Sequence, residues 1–289
     1  MNRIQQENNN PGRPQIEWDV PGIGDPTIQG FATDMSVNAG DTVCFKVKTD
    51  AMAYQLKIYR MGFYQGNGAR LMDTVLPLAG VQLPQEQPDG LTDEDDEDTG
   101  LLDCGNWAIS ASWAVPPTAV SGIYFAKLVR SDTGGASHIV FVVRNDGSHS
   151  DLVFQTSDLT WQAYNFYGGK SLYGDLGTDN PWDLENRAYK VSYNRPFTTR
   201  RDASGSWVFY AEYPMVRWLE ANGYAFYGSH AADEYGRFSH QEKHTQAGET
   251  SYSNGYIQVL NSGEIYSPDP HAWGLLDPLV DDNLRERAV

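Results

Sequence analysis

The stretch "SGIYFAKLVRSDTGGASHIVFVVRN" (121–145) holds two apolar runs of strand length on either side of a Gly134-Gly135 turn signal. Its aromatic and β-branched residues, Tyr124 and Phe125 in the first run and Ile139 to Val143 in the second, suit a pleated chain better than a helix. Similar segments recur on the N-terminal side. "TVCFKVKT" (42–49) alternates Val43, Phe45 and Val47 with Cys44, Lys46 and Lys48. "AYQLKIYRM" (53–61) alternates Tyr54, Leu56 and Ile58 with Gln55, Lys57 and Tyr59, and "NWAISASWAV" (106–115) is a further candidate strand. Asn38-Ala39-Gly40, Gly66-Asn67-Gly68 and Pro116-Pro117 supply turns between them. Short strands at this spacing predict an immunoglobulin-like or fibronectin-like β-sandwich over 27–147. The segment 84–103, with the acidic run "TDEDDEDTG" (92–100), is expected to project from it as a solvated loop. Residues 1–26, rich in Asn, Gln, Pro and Gly without periodicity, read as a disordered lead.

The pattern changes near 150. "DLVFQTSD" (151–158) is a compact apolar run of the kind found in buried parallel strands. "SWVFYAEYPMVRWLEANGYAFYG" (206–228) contains the best helix signal in the chain. Pro214 suits a first helical turn, Met215, Val216, Trp218 and Leu219 recur at helical spacing, and Asn222-Gly223 is a stop signal before "YAFYG", a strand. Strand, helix, glycine and strand predict a partial α/β domain over 148–289, with 245–289 unassigned. The fold class is therefore β plus α/β. An unfinished α/β unit would leave an apolar face to cover, so a homo-oligomer or a partner subunit is expected.

Charge and composition narrow the function classes. A formal net charge of −17 argues against a nucleic-acid partner, whose phosphates need Lys and Arg. No stretch approaches the roughly 20 apolar residues of a membrane span. The polar start "MNRIQQENNNPGRP" has no apolar signal-peptide core, so the chain reads as cytoplasmic as it stands, or as a fragment of an exported precursor. For Cys44 and Cys104 two readings stand: a disulfide between strands, or two buried thiols. No G-x-S-x-G elbow and no phosphate-binding glycine loop is present, so serine-hydrolase and nucleotide chemistry have no support.

"TWQAYNFYGGKSLYG" (160–174) concentrates aromatic surface: Trp161, Tyr164, Phe166 and Tyr167 precede Gly168-Gly169, and Tyr173 follows. Such a cluster either packs or offers phenol oxygens to a metal, while the glycine pair supplies a turn with positive φ. Arg195 in "SYNRP" (192–196) either orients a carboxylate or oxyanion through its fork or makes a surface salt bridge. Glu212, at the start of the predicted helix, is accounted for by the helix dipole. His240 and His244 in "HQEKH" stand four apart, but Gln follows the first, so the pattern departs from H-E-x-x-H and a solvated face is the reading.

Several long strings carry a family likeness: "YQLKIYRMGFYQGNGARLM" (54–72), "CGNWAISASWAVPPTAVSGIYFAKLVR" (104–130), "ASHIVFVVRND" (136–146), "SDLVFQTSDLTWQAYNFYGGKSLY" (150–173), "AYKVSYNRPF" (188–197) and "EYPMVRWLEANGY" (212–224). Together, over roughly 27–238, they resemble the large (β) subunit family of N,N-dimethylformamidase. The resemblance implies a β-sandwich followed by a glutamine-amidotransferase-like α/β domain, and an iron-dependent hydrolase of small N-substituted amides. It implies ferric iron held by two tyrosines, matched here by Tyr164 in "QAYN" and Tyr193 in "SYNRP", and by one glutamate. Phenolate and carboxylate oxygens are hard donors that suit this ion. The glutamate belongs to a later G-H-x-E-Y-W-type motif, which this chain lacks at that place. "GSHAADEYG" (228–236) echoes its letters earlier and without the Trp, and offers Glu234 as a substitute. Trp161, Tyr167 and Arg195 are the candidate substrate-pocket residues. The alternative function is a non-catalytic β-sandwich module for binding or adhesion with a remnant second domain.

Overall fold

The predicted strands pair into two facing sheets in the computed structural model, which describes residues 2–92, 99–147, 150, 152–180, 184–197, 208–210, 212–224, 226–229, 256–259 and 264–266. One sheet is three-stranded and antiparallel: β1 (Ile28–Ala32), β3 (Thr42–Thr49) and β6 (Ala111–Ala114). The other is five-stranded, in the order β2 (Ser36–Asn38), β8 (Ala136–Arg144), β7 (Gly122–Arg130), β4 (Tyr54–Met61) and β5 (Ala69–Val75). Its pairs are antiparallel except β2 with β8. The alternation in 42–49 comes out as predicted. Val43, Phe45 and Val47 are fully buried against Leu56, Ile58, Leu128 and Phe141 of the other sheet, while the intervening lysines turn outward. The segment 106–115 forms a shorter strand than its composition suggests.

β7 and β8 do not alternate, and the reason is a third layer. Tyr124, Ala126 and Leu128 face the sandwich core, whereas Ile123 and Phe125 face the opposite way, into a second core. Strands buried on both faces have no solvent side to mark with polar residues, hence the continuous run "IVFVV".

The second core is shared with the C-terminal half. There, β9 (Leu152–Gln155) runs into α3 (Asp158–Ala163), followed by the small antiparallel pair β10 (Lys170–Ser171) and β11 (Gly174–Asp175). α4 (Glu212–Ala221) leads into β12 (Phe226–Ser229), which lies parallel to β9. β13 (Tyr256–Val259) joins β9 antiparallel and β14 (Glu264–Tyr266) extends the sheet. Phe154, Trp161, Val216 and Leu219 pack on Tyr59, Met61, Phe125 and Val140 of the five-stranded sheet. Gly223, at φ 74°, ends α4 at the predicted stop. The fold is thus β-rich, with a parallel β–α–β crossover among the described residues behind the sandwich.

One expectation is corrected and one open choice is settled. The lead is ordered: α1 (Arg3–Asn8) and α2 (Gln15–Trp18) lie on the molecule. Asn2 caps α1 by accepting from Gln5 N, while Asn2 N donates to Gln5 Oε1. Trp18 is fully buried in the second core, stacked on Phe209, and its indole N–H donates to Arg13 O and Asn67 O. Tertiary contacts, which composition does not report, order this segment. The cysteines also resolve: Cys44 and Cys104 are free thiols.

α4 is fastened to the sandwich by a buried ion pair. Arg60 on β4 and Glu220 on α4 have no exposed side-chain surface and bond bidentately at 2.6 and 2.9 Å. Arg60 also donates to Ser121 O and the Tyr64 hydroxyl, Tyr64 donates to Glu7, and Asn8 donates to Glu220. Burial opposes the Arg60 charge, but the carboxylate of Glu220 outweighs it and holds the guanidinium well above its ordinary range.

Candidate functional site

β9 ends in a polar run, "QTSD", that is buried throughout: Gln155, Thr156, Ser157 and Asp158 are at most 4% exposed. The carboxyl end of a parallel strand is where open α/β folds place their chemistry, because the crossover leaves a crevice there. Asp158, fully buried, accepts from the Thr156 hydroxyl at 2.7 Å and from the Tyr193 phenol at 2.6 Å. α4 runs back against β9, so its first residue, Glu212, arrives at the same end. Glu212 is fully buried too. Its Oε1 accepts from Ser157 N at 3.0 Å, while its Oε2 has no hydrogen-bond partner among the described residues. Burial pushes this carboxyl up to about 7, against the hydrogen bonds from Ser157, and the neighbouring Asp158 charge adds to the rise.

Arg195 ties the two tyrosine-bearing segments together. It is fully buried and, among the described residues, donates to four main-chain carbonyls: Gln162 O at 3.0 Å, Tyr167 O at 3.1 Å, Ser192 O at 3.2 Å and Lys170 O at 3.5 Å. Burial lowers its pKa to about 10. The surface salt bridge considered for Arg195 is replaced by this clamp. Asn165 adds a second tie, donating to Pro196 O at 2.9 Å.

The candidate residues therefore sit as follows. Tyr193 meets Asp158, a contact that sequence reading did not single out. Tyr164 caps the C-terminus of α3, stacked on Tyr173 with ring centroids 4.4 Å apart. Trp161 is fully buried and stacked on Phe197, and Arg195 is equally buried. Tyr167, half-buried and edge-on to Trp107, lines an open polar groove of about 560 Å³ on the sandwich with Thr27, Gln29, Lys48 and Asp50. Gly168 and Gly169 take the expected positive φ, 91° and 106°. Glu212 does more than balance a helix dipole. Glu234, His240, His244 and the acidic residues 93–98 lie outside the described residues.

Sequence reasoning missed Asp158 and the role of Glu212. A signal was present: four polar residues directly after the apolar run of a buried strand, at the end where a crossover fold opens.

The described residues contain no group of three or more His, Cys, Asp or Glu able to hold a metal ion, so a metal here would rely on phenol oxygens. Tyr193, Asp158 and Glu212 supply a phenol and two carboxyl groups, with one buried oxygen unpartnered among the described residues. That set fits a hard cation.

Fold and site together define a β-sandwich protein with a buried oxygen-rich centre at the mouth of a parallel crossover. The chain belongs to the N,N-dimethylformamidase beta subunit-like family: the model of that family's C-terminal region matches residues 55–248, about two thirds of the chain. No curated protein matches the chain. Among solved structures, an uncharacterized protein from Bacillus anthracis str. Ames is 12% identical, covering 39% of this chain and 82% of that one, with a TM-score of 0.23. Domain 1 of VCBP3 from Branchiostoma floridae is 14% identical, covering 44% of this chain and all of that one, with a TM-score of 0.25. At these scores neither likeness bears on fold or function. Among the described residues no helix is long and apolar enough to cross a membrane.

Proposed function

We propose that this chain is a metal-dependent hydrolase of small N-substituted amides, with ferric iron as the metal and Tyr164 and Tyr193 among its ligands. The observation that carries the reading is the Tyr193–Asp158 contact of 2.6 Å beside the unpartnered Glu212 oxygen. Family membership supports the substrate class. Bound there, the iron would supply Lewis acidity toward an amide carbonyl. The chain's own residues provide the rest. Arg195 holds the Tyr164 and Tyr193 segments in register through four carbonyls. The buried surroundings strengthen any charge interaction by excluding water. Glu212 holds its proton up to about pH 7. The glutamine-amidotransferase-like character of the second domain, and a partner subunit or second copy covering it, belong to the same proposal.

The test is iron content of the purified chain, with N,N-dimethylformamide as probe substrate and released dimethylamine as readout. Near-stoichiometric iron, a phenolate-to-iron absorption band and amine release support the reading; absence of iron after reconstitution overturns it. A second reading, a non-catalytic binding module, is favoured by one observation, the polar groove at Tyr167 on the sandwich. That groove becomes the main candidate site if the chain takes up no iron.

A further inference from the structure

We propose that Asp158 supplies the carboxylate ligand of the metal in this chain, in place of a glutamate such as Glu234. The inference rests on the metal-dependent reading above and adds to it the identity of a ligand.

The argument starts from the shortest contact at the site. Tyr193 Oη and Asp158 Oδ2 lie 2.6 Å apart, both on buried or half-buried side chains. With the phenol protonated this is a strong charge-assisted hydrogen bond. To ligate, Tyr193 must lose that proton. Two anionic oxygens at such a distance, away from water, then repel strongly. A cation shared between them removes the repulsion, and two oxygens ligating one ion stand about this far apart. A Tyr193 ligand therefore makes Asp158 a ligand as well, unless the contact is broken.

Three further observations fit. Thr156 donates to the other oxygen, Oδ1, at 2.7 Å, which fixes the carboxylate and leaves Oδ2 directed at Tyr193. Asp158 is the first residue of α3, three residues after β9 ends, a rigid mount. Beside it Glu212 keeps a fully buried oxygen without a hydrogen-bond partner among the described residues, an arrangement that costs free energy unless a cation or proton meets it.

The experiment measures iron stoichiometry, apparent affinity by chelator competition, and the phenolate-to-iron band in wild type, Asp158→Asn, Asp158→Glu and Glu234→Gln, each checked for fold by circular dichroism. The expected result is loss of affinity in Asp158→Asn beyond the roughly 10–100-fold that outer-shell changes cost, with a shifted or missing band, and wild-type behaviour in Glu234→Gln. Should Asp158→Asn fail to fold, Asp158→Glu decides: a folded variant whose phenolate-to-iron band is shifted or lost supports the assignment, and one whose iron affinity and band both match wild type overturns it. Retained iron in folded Asp158→Asn also overturns it, as does loss in Glu234→Gln. In those cases the hydrolase reading stands with a different ligand. A wild type that takes up no iron overturns both.

Discussion

Removing the Glu220 charge tests whether α4, and with it Glu212, is held in place by the buried ion pair. The perturbation is Glu220→Gln. Arg60 and Glu220 have no exposed side-chain surface, and the carboxylate meets two guanidinium nitrogens. Gln keeps the shape but leaves a guanidinium whose charge is neither hydrated nor neutralised. Breaking a buried pair in this way costs about 3–5 kcal/mol, a large share of the roughly 5–15 kcal/mol that stabilises a typical protein. At roughly 2–4 °C per kcal/mol for a protein of this size, the melting temperature should fall by about 6–20 °C. The double variant Arg60→Met/Glu220→Leu removes both charges together and should recover much of the loss, since an apolar replacement avoids the desolvation penalty. Urea unfolding of the wild type, both single variants and the double variant gives the coupling energy. A loss under about 1 kcal/mol in Glu220→Gln, or additive single losses, would refute the reasoning and show that the second core alone holds α4.

Three further predictions follow from the site and its supports. Glu212 has a folded-state pKa of about 7 against an ordinary 4.5, so folding takes up its proton; its stabilising contribution is complete below pH 4.5 and is lost as pH rises through 7, a change of about 3 kcal/mol. Urea titrations across that window should show wild type losing stability relative to Glu212→Gln, and parallel profiles would sink the assignment. Arg195→Lys cannot reach four carbonyls from one point charge, so it should destabilise by about 1–3 kcal/mol despite keeping the charge; thermal melts matching wild type would count against the clamp. Trp18→Ala should cost about 3–5 kcal/mol by opening a cavity between Phe125 and Phe209, and a near-neutral result in denaturant unfolding would mean that the N-terminal segment is only loosely attached.

Local pattern reported the sandwich well. The strands at 42–49, 53–61, 121–131 and 137–145, the stop at Gly223 and the positive-φ glycines at 168–169 follow from periodicity and backbone sterics, which each segment carries within itself. The family likeness was equally legible, because it rests on long ordered strings. Tyr164 and Tyr193 are candidates through that likeness alone; nothing in their spacing, 29 positions apart in sequence, singles them out.

What only the tertiary structure decided has a common cause: it depends on contacts between residues distant in sequence. Trp18 orders a lead whose composition reads as disordered, because its partners Phe125 and Phe209 lie far along the chain. Arg195 reads as a surface residue until four carbonyls from two segments enclose it. Asp158 and Glu212 read as a strand-end and a helix-end carboxylate. They meet only because α4 packs antiparallel to β9 and returns its first turn to the strand's carboxyl end. Sequence by itself determined which segments become strands and helices and which family the chain resembles; the packing of the crossover on the back of the sandwich determined which polar groups are buried together, and buried proximity is what turns ordinary carboxylates into candidates for chemistry.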